Sequence, residues 1–177
     1  MFDRIHRTYD RIGQELGLGK QPPPPHKIDS LVVVPVAGLS RLTAEAISAA
    51  LSIGDEVRAI TVCFADPEDE QADVEFRDGW EAWHPNVPLI TLRSEHRTLA
   101  PPMVKYLREL ETDERYDQLV VLIAEVQPAH WWQWVLHNQR GVILQRAIQR
   151  DTVNVVVCRL RYQLVTVAAP AGAPPTP

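Results

Sequence analysis

The chain has 177 residues, 45% of them hydrophobic and 23% charged, and a formal net charge of −5. That length suffices for one domain with a real core, and the acidic balance excludes a general affinity for nucleic acid. No stretch approaches the ~18–20 consecutive apolar residues of a membrane span, and the opening Met1-Phe2-Asp3-Arg4-Ile5-His6-Arg7 is not a signal peptide.

In chain order, Phe2, Ile5, Tyr9, Ile12 and Leu16 recur at steps of three and four, the stripe of an amphipathic helix. Arg4, Arg7 and Arg11 lie off that stripe among Asp3, Asp10 and Glu15, and Gly17 and Gly19 end it. Such a helix packs on its own domain or a sister chain, or lies near a membrane or another domain. Its mixed charges argue against strong membrane binding. Gln21 to Pro25 then forms a stiff polyproline spacer, which separates the helix from the rest of the chain.

The remainder alternates. Leu31 to Val36 reads as a strand, and Ser40 to Ser52 as a helix capped by Ser40. Val57 to Phe64 is a second strand. Asp66 to Glu70 is an acidic helix start, and Val74 or Phe76 with Trp80 and Trp83 continues that helix. Pro88 to Leu92 is a short third strand, and Pro101-Pro102 open a helix whose inner face carries Met103, Leu107 and Leu110. The apolar run 118–124 is a fourth strand, buried on both faces. A helix over about 130–149, broken near Gly141, precedes a fifth strand from Val153 to Cys158. The tail after Leu164 is rich in Ala and Pro and reads as disordered.

Five strands alternating with helices predict an open parallel sheet with helices on both faces. Right-handed crossovers favour the order 3-2-1-4-5. The sheet then has a switch point between strands one and four, where such folds hold ligands at the carboxyl ends of the strands. The loop Val36-Ala37-Gly38-Leu39-Ser40 would face the segment Ala124 to His130 there.

The chemistry-bearing candidates gather at that edge. Free N–H groups in loop 36–40 could hold a phosphate, although the stretch has neither the P-loop nor the G-x-G-x-x-G pattern and a plain tight turn reads equally well. Arg97, near a helix start, offers a phosphate or interface contact, or a loop salt bridge. Glu125, placed just beyond strand four, lacks a partner for acid–base work and reads better as a solvated or base-contacting glutamate. Trp131, Trp132 and Trp134 fit core or interface packing better than base stacking. Asn138 and Gln139 could read an adenine edge or cap a broken helix. His130, Trp134 and His137 share a helix face, but no zinc spacing is present. Cys63 and Cys158 fall in separate strands and read as reduced thiols. No enzymatic activity is expected.

Several blocks resemble a known family: Val33-Val34-Pro35-Val36-Ala37-Gly38-Leu39, Ser94-x-x-Arg97-Thr98-x-x-x-Pro102, Trp132-x-x-x-Leu136-His137-Asn138-Gln139 and Arg161-Tyr162-Gln163-Leu164. They are similar to the cytosolic C-terminal domain of bacterial amino-acid permease-superfamily transporters, closest to the KUP-like proton-coupled potassium importers. The resemblance covers about 1–165. It implies a universal stress protein-like, Rossmann-like fold on the cytosolic face of a membrane transporter. It also implies pairing of two subunits and control of transport by a nucleotide such as cyclic di-AMP. The division it implies is a membrane-proximal helix over 1–19, a Pro-rich linker over 20–29, the α/β domain over 30–164 and a disordered tail over 165–177.

Two departures stand out. The spaced glycines that follow strand four in ATP-binding universal stress proteins are replaced by Glu125-Val126-Gln127-Pro128-Ala129-His130-Trp131, and Ala37 stands where those proteins carry an aspartate. Binding of ATP in the usual manner is therefore not expected. The nucleotide-binding candidates are Val36, Ala37, Gly38, Ser40, Phe64, Arg97, Glu125, His137, Asn138 and Gln139. No metal is expected. The competing reading is a dimerisation domain of the same transporter without a ligand.

Overall fold

The computed structural model describes residues 24–127 and 139–163, together with 9, 11–13, 17–19 and 21. Five strands alternate with four helices: β1 (Ser30–Pro35), α1 (Arg41–Ile53), β2 (Glu56–Phe64), α2 (Pro67–Trp83), β3 (Leu89–Ser94), α3 (Ala100–Glu111), β4 (Gln118–Gln127), α4 (Gln139–Asp151) and β5 (Val155–Gln163). The strands are parallel and lie in the order β3-β2-β1-β4-β5, as expected from the sequence.

Strand β1 sits centrally, and Leu31, Val32, Val33 and Val34 are wholly buried. Successive side chains of a strand point to opposite faces, so this one run feeds two cores. Leu31 and Val33 join Leu119, Val121 and Ile123 under Met103 and Leu107 of α3 and Leu144 and Ile148 of α4. Val32 and Val34 join Ala59 and Leu122 under Ala46, Ile47 and Ala50 of α1 and Trp80 of α2. A strand covered on both faces needs an unbroken branched apolar run, and that is what the sequence supplies.

Both early helices start on side-chain caps. Ser40 Oγ accepts the Thr43 N–H at 3.1 Å, and Asp66 Oδ1 accepts the Asp69 N–H at 3.1 Å. In α2 the inward residues are Phe76 and Trp80, with Val74 exposed. Trp80 packs edge-on against both Phe76 and Trp83, and its indole N–H donates to Val87 O at 2.9 Å. Cys63 and Cys158 are both free. They lie on β2 and β5, with β1 and β4 between them. Three strand spacings of ~4.8 Å put a disulfide out of reach.

Three sequence expectations change. Strands β4 and β5 both run on beyond their apolar runs, to Gln127 and Gln163, because the ladder continues through polar pairs such as Glu125 with Arg161. Helix α4 passes through Gly141 without a break. Most of the helix predicted over 2–16, residues 128–138 of the segment and helix after β4, including Trp131, Trp132 and Trp134, and the tail from Leu164 lie outside the described residues.

Candidate functional site

The carboxyl ends of the strands carry two cavities, one on each face of the sheet. The first is a hollow of about 360 Å³ lined by Pro35 to Ser40, Leu42, Thr43, Ala46 and Ala124. It lies between the loop after β1 and the end of β4, at the switch point. Its lining is small and largely apolar.

The polar groups of this loop largely satisfy one another. The Thr43 N–H donates to Ser40 Oγ, the Ser40 and Thr43 hydroxyls are 2.9 Å apart, and Thr43 Oγ1 donates to Gly38 O at 2.6 Å. The Val36 N–H, expected to be free for a phosphate, instead continues the ladder by donating to Ile60 O at 2.8 Å. Gly38 has no positive φ, and a Cβ there would meet nothing within 4 Å. The N–H groups of Ala37, Gly38 and Leu39 meet no acceptor among the described residues.

The second cavity is larger, about 650 Å³, and lies on the α3 and α4 side. Phe64 at the end of β2, Asp69, Arg97 to Pro101, and Ile143 and Leu144 of α4 line it. Phe64 is half-buried and Ile143 is 56% exposed, so apolar surface faces solvent here. Arg97 stands on the loop between β3 and α3. Its guanidinium donates to Asp66 Oδ2 at 2.9 Å. The Asp69 N–H on its other oxygen, and then Arg97, hold the Asp66 carboxyl below the usual carboxylate range.

Glu125 does not share the first cavity with loop 36–40. Its neighbour Ala124 lines that hollow, and strand alternation turns Glu125 to the opposite face. There it is 8% exposed and neither solvated nor unpartnered, as Arg159 Nη2 and Nε donate to its Oε1 at 2.6 and 3.1 Å. Arg159 sits on the same face of β5, two residues before Arg161, the register partner of Glu125. Gly141 of α4 lies directly over this pair: a Cβ at 141 would stand 2.7 Å from Glu125 Oε1.

Val36, Ala37, Gly38 and Ser40 thus line one cavity, while Phe64 and Arg97 line the other. Glu125 belongs to a buried ion pair. Gln139 opens the described part of α4, and His137 and Asn138 lie outside the described residues. Sequence reasoning misses Arg159 and Asp66, the partners that decide what Glu125 and Arg97 do. No motif flags either, although the acidic run at 66–70 marks Asp66 as a helix start.

Sheet order and strand direction define the class: an open, parallel, doubly covered α/β domain. Two of its hollows sit at the carboxyl edge, while others of about 910 and 600 Å³ lie beside the start of β3 and between α3 and α4. Residues 27–162 match the family of the KimA potassium transporter C-terminal domain, and the chain belongs to that family. It is similar to the potassium transporter KimA of Bacillus subtilis (strain 168), at 31% identity over 147 residues. That alignment covers 82% of this chain and 23% of the relative, so the chain spans under a quarter of the protein it matches. No helix among the described residues is long and apolar enough to cross a membrane.

Proposed function

We propose that this domain works on the cytosolic side of a potassium transporter of the amino-acid permease superfamily. In this reading it has a universal stress protein-like fold and binds a nucleotide such as cyclic di-AMP to control transport. Fold alone decides no function. The observation that carries the reading is the pair of cavities at the carboxyl edge of the sheet, of about 360 and 650 Å³, within the ~300–1,000 Å³ of ligand pockets. Membership of a potassium-transporter domain family supplies the setting.

A regulatory rather than catalytic role is supported by Glu125. The carboxylate best placed for acid–base work is occupied by Arg159. The missing glycine motif after β4 argues against ATP and for a ligand held by side chains.

A second reading is a homodimerisation domain without a ligand. It is favoured by the first cavity, whose lining is mostly apolar and whose two hydroxyls are satisfied internally. Calorimetric titration of the purified domain with cyclic di-AMP, AMP and ATP, with light scattering on the same sample, separates the two. Saturable binding of cyclic di-AMP in preference to ATP is expected. No heat with any nucleotide, on a sample that scatters as a dimer, would leave the pairing domain.

A further inference from the structure

Arg97 has a built support, and one nitrogen of its guanidinium, Nη2, is held by Asp66. The loop that carries it is tied down by Ser94, which is 6% exposed. Ser94 Oγ donates to Thr98 O at 3.0 Å and also bonds His96 O, while Ser94 O accepts the Ala65 N–H at 3.1 Å. The arginine therefore stands on a braced turn beside the larger cavity, with its side chain 75% exposed. Its partner Asp66 has two duties, since one oxygen caps α2 and the other holds Arg97.

We infer that Asp66 holds Arg97 in reserve, and that a nucleotide phosphodiester displaces Asp66 from the guanidinium as its base enters the cavity beside Phe64. This rests on the nucleotide-binding reading above and names the chemistry of its site. Phe64, Leu99, Pro101 and Ile143 give the cavity apolar walls suited to the flat face of a base. A guanidinium takes phosphate oxygens in a forked geometry that needs Nη2, the nitrogen Asp66 now holds, so Asp66 and a phosphate compete for that nitrogen. Release leaves Asp66 still capping α2, so the exchange does not unravel the helix. The charge balance selects the ligand class. Among the charged residues at this spot, Arg97 faces two carboxylates, Asp66 and Asp69. That setting is net negative, so it repels each phosphate in proportion to its charge, a singly charged phosphodiester least and a triphosphate most.

The test uses Asp66→Asn, which keeps the cap because asparagine caps as well as aspartate, together with Arg97→Gln and the double variant. Each is titrated with cyclic di-AMP, AMP, ATP and adenosine, and its thermal unfolding is recorded. Asp66→Asn should tighten cyclic di-AMP by about threefold by removing a competing surface partner. Arg97→Gln should weaken it by about tenfold or more, the loss of a charge-assisted hydrogen bond, and the double variant should match Arg97→Gln alone. Adenosine, without phosphate, should not distinguish the forms, and AMP should gain less from Asp66→Asn than the diester. Cyclic di-AMP binding unchanged in both single variants, or weakened by Asp66→Asn with unfolding unchanged, would overturn the inference and leave the nucleotide-binding reading standing. No binding of any nucleotide to the unmodified domain would remove both.

Discussion

Glu125 and Arg159 form a two-toothed ion pair between β4 and β5, roofed by the bare backbone of Gly141. The carboxylate is 8% exposed and the guanidinium 28%. Removing one partner strands the other's charge in a dry place, which costs about 3 kcal/mol for pairs of this kind. Arg159→Met should lower the urea midpoint accordingly. Glu125→Gln in the same chain should recover much of the loss, because the stranded charge is then gone. A double variant no more stable than Arg159→Met would show that the pair matters by packing instead.

Gly141 tests the same contact from the helix. In an open helix position, alanine for glycine stabilises by about 1 kcal/mol. Here the added methyl would stand 2.7 Å from Glu125 Oε1, a carboxylate that Arg159 pins in place, so Gly141→Ala should destabilise by about 1–3 kcal/mol instead. Gly38→Ala is the control. Nothing lies within 4 Å of its added methyl, and its effect should stay within about 0.5 kcal/mol. Thermal unfolding of both variants decides the matter.

A polar cluster at the other end of the sheet sets an acid sensitivity. Tyr116 OH donates to Glu56 Oε2 at 2.6 Å, and Arg58 donates to Glu56 Oε1 at 2.7 Å and to Tyr116 OH at 2.6 Å. The phenol, and then Arg58, hold the Glu56 carboxyl below its ordinary range. A carboxyl depressed in the folded state adds stability above its unfolded pKa and loses it as pH falls through the folded value. The cluster should therefore support the fold at neutral pH and fade below pH 4.5, the ordinary glutamate value. Tyr116→Phe removes the first cause. It should lower stability at pH 7 by about 1–2 kcal/mol and flatten the fall as pH drops below 4.5. An unchanged acid slope in chemical denaturation across that range would contradict this.

Much of the fold is legible in the sequence, for a definite reason. Leu31 to Val34 and the run at 119–124 are apolar at every position, as a strand covered on both faces requires, and right-handed crossovers then favour the observed strand order. The carboxyl ends are harder to read. The apolar signal stops at Ala124 and Cys158, but the ladder continues, held by Glu125 and Arg159, which carry no hydrophobic signal. Gly141 resembles a helix break because a glycine marks both a break and a close approach, and only the carboxylate beneath it tells which. The sequence alone also groups the site too tightly. Strand alternation separates Ala124 from Glu125, and so the hollow at loop 36–40 from the face that carries Arg97. The Asp66–Arg97 pair spans two loops, and no local pattern announces it.

Whether a nucleotide occupies the carboxyl edge of this sheet is tested most directly by amide hydrogen exchange of the domain with and without saturating cyclic di-AMP. Exchange reports where a ligand sits as well as whether it binds. Slowed exchange is expected in 64–69 and 95–101, which border the larger cavity, with no change at the opposite edge around Asp29, Asp55 and Asp117. An exchange pattern identical with and without the nucleotide, or protection confined to that opposite edge, would contradict nucleotide binding at this site.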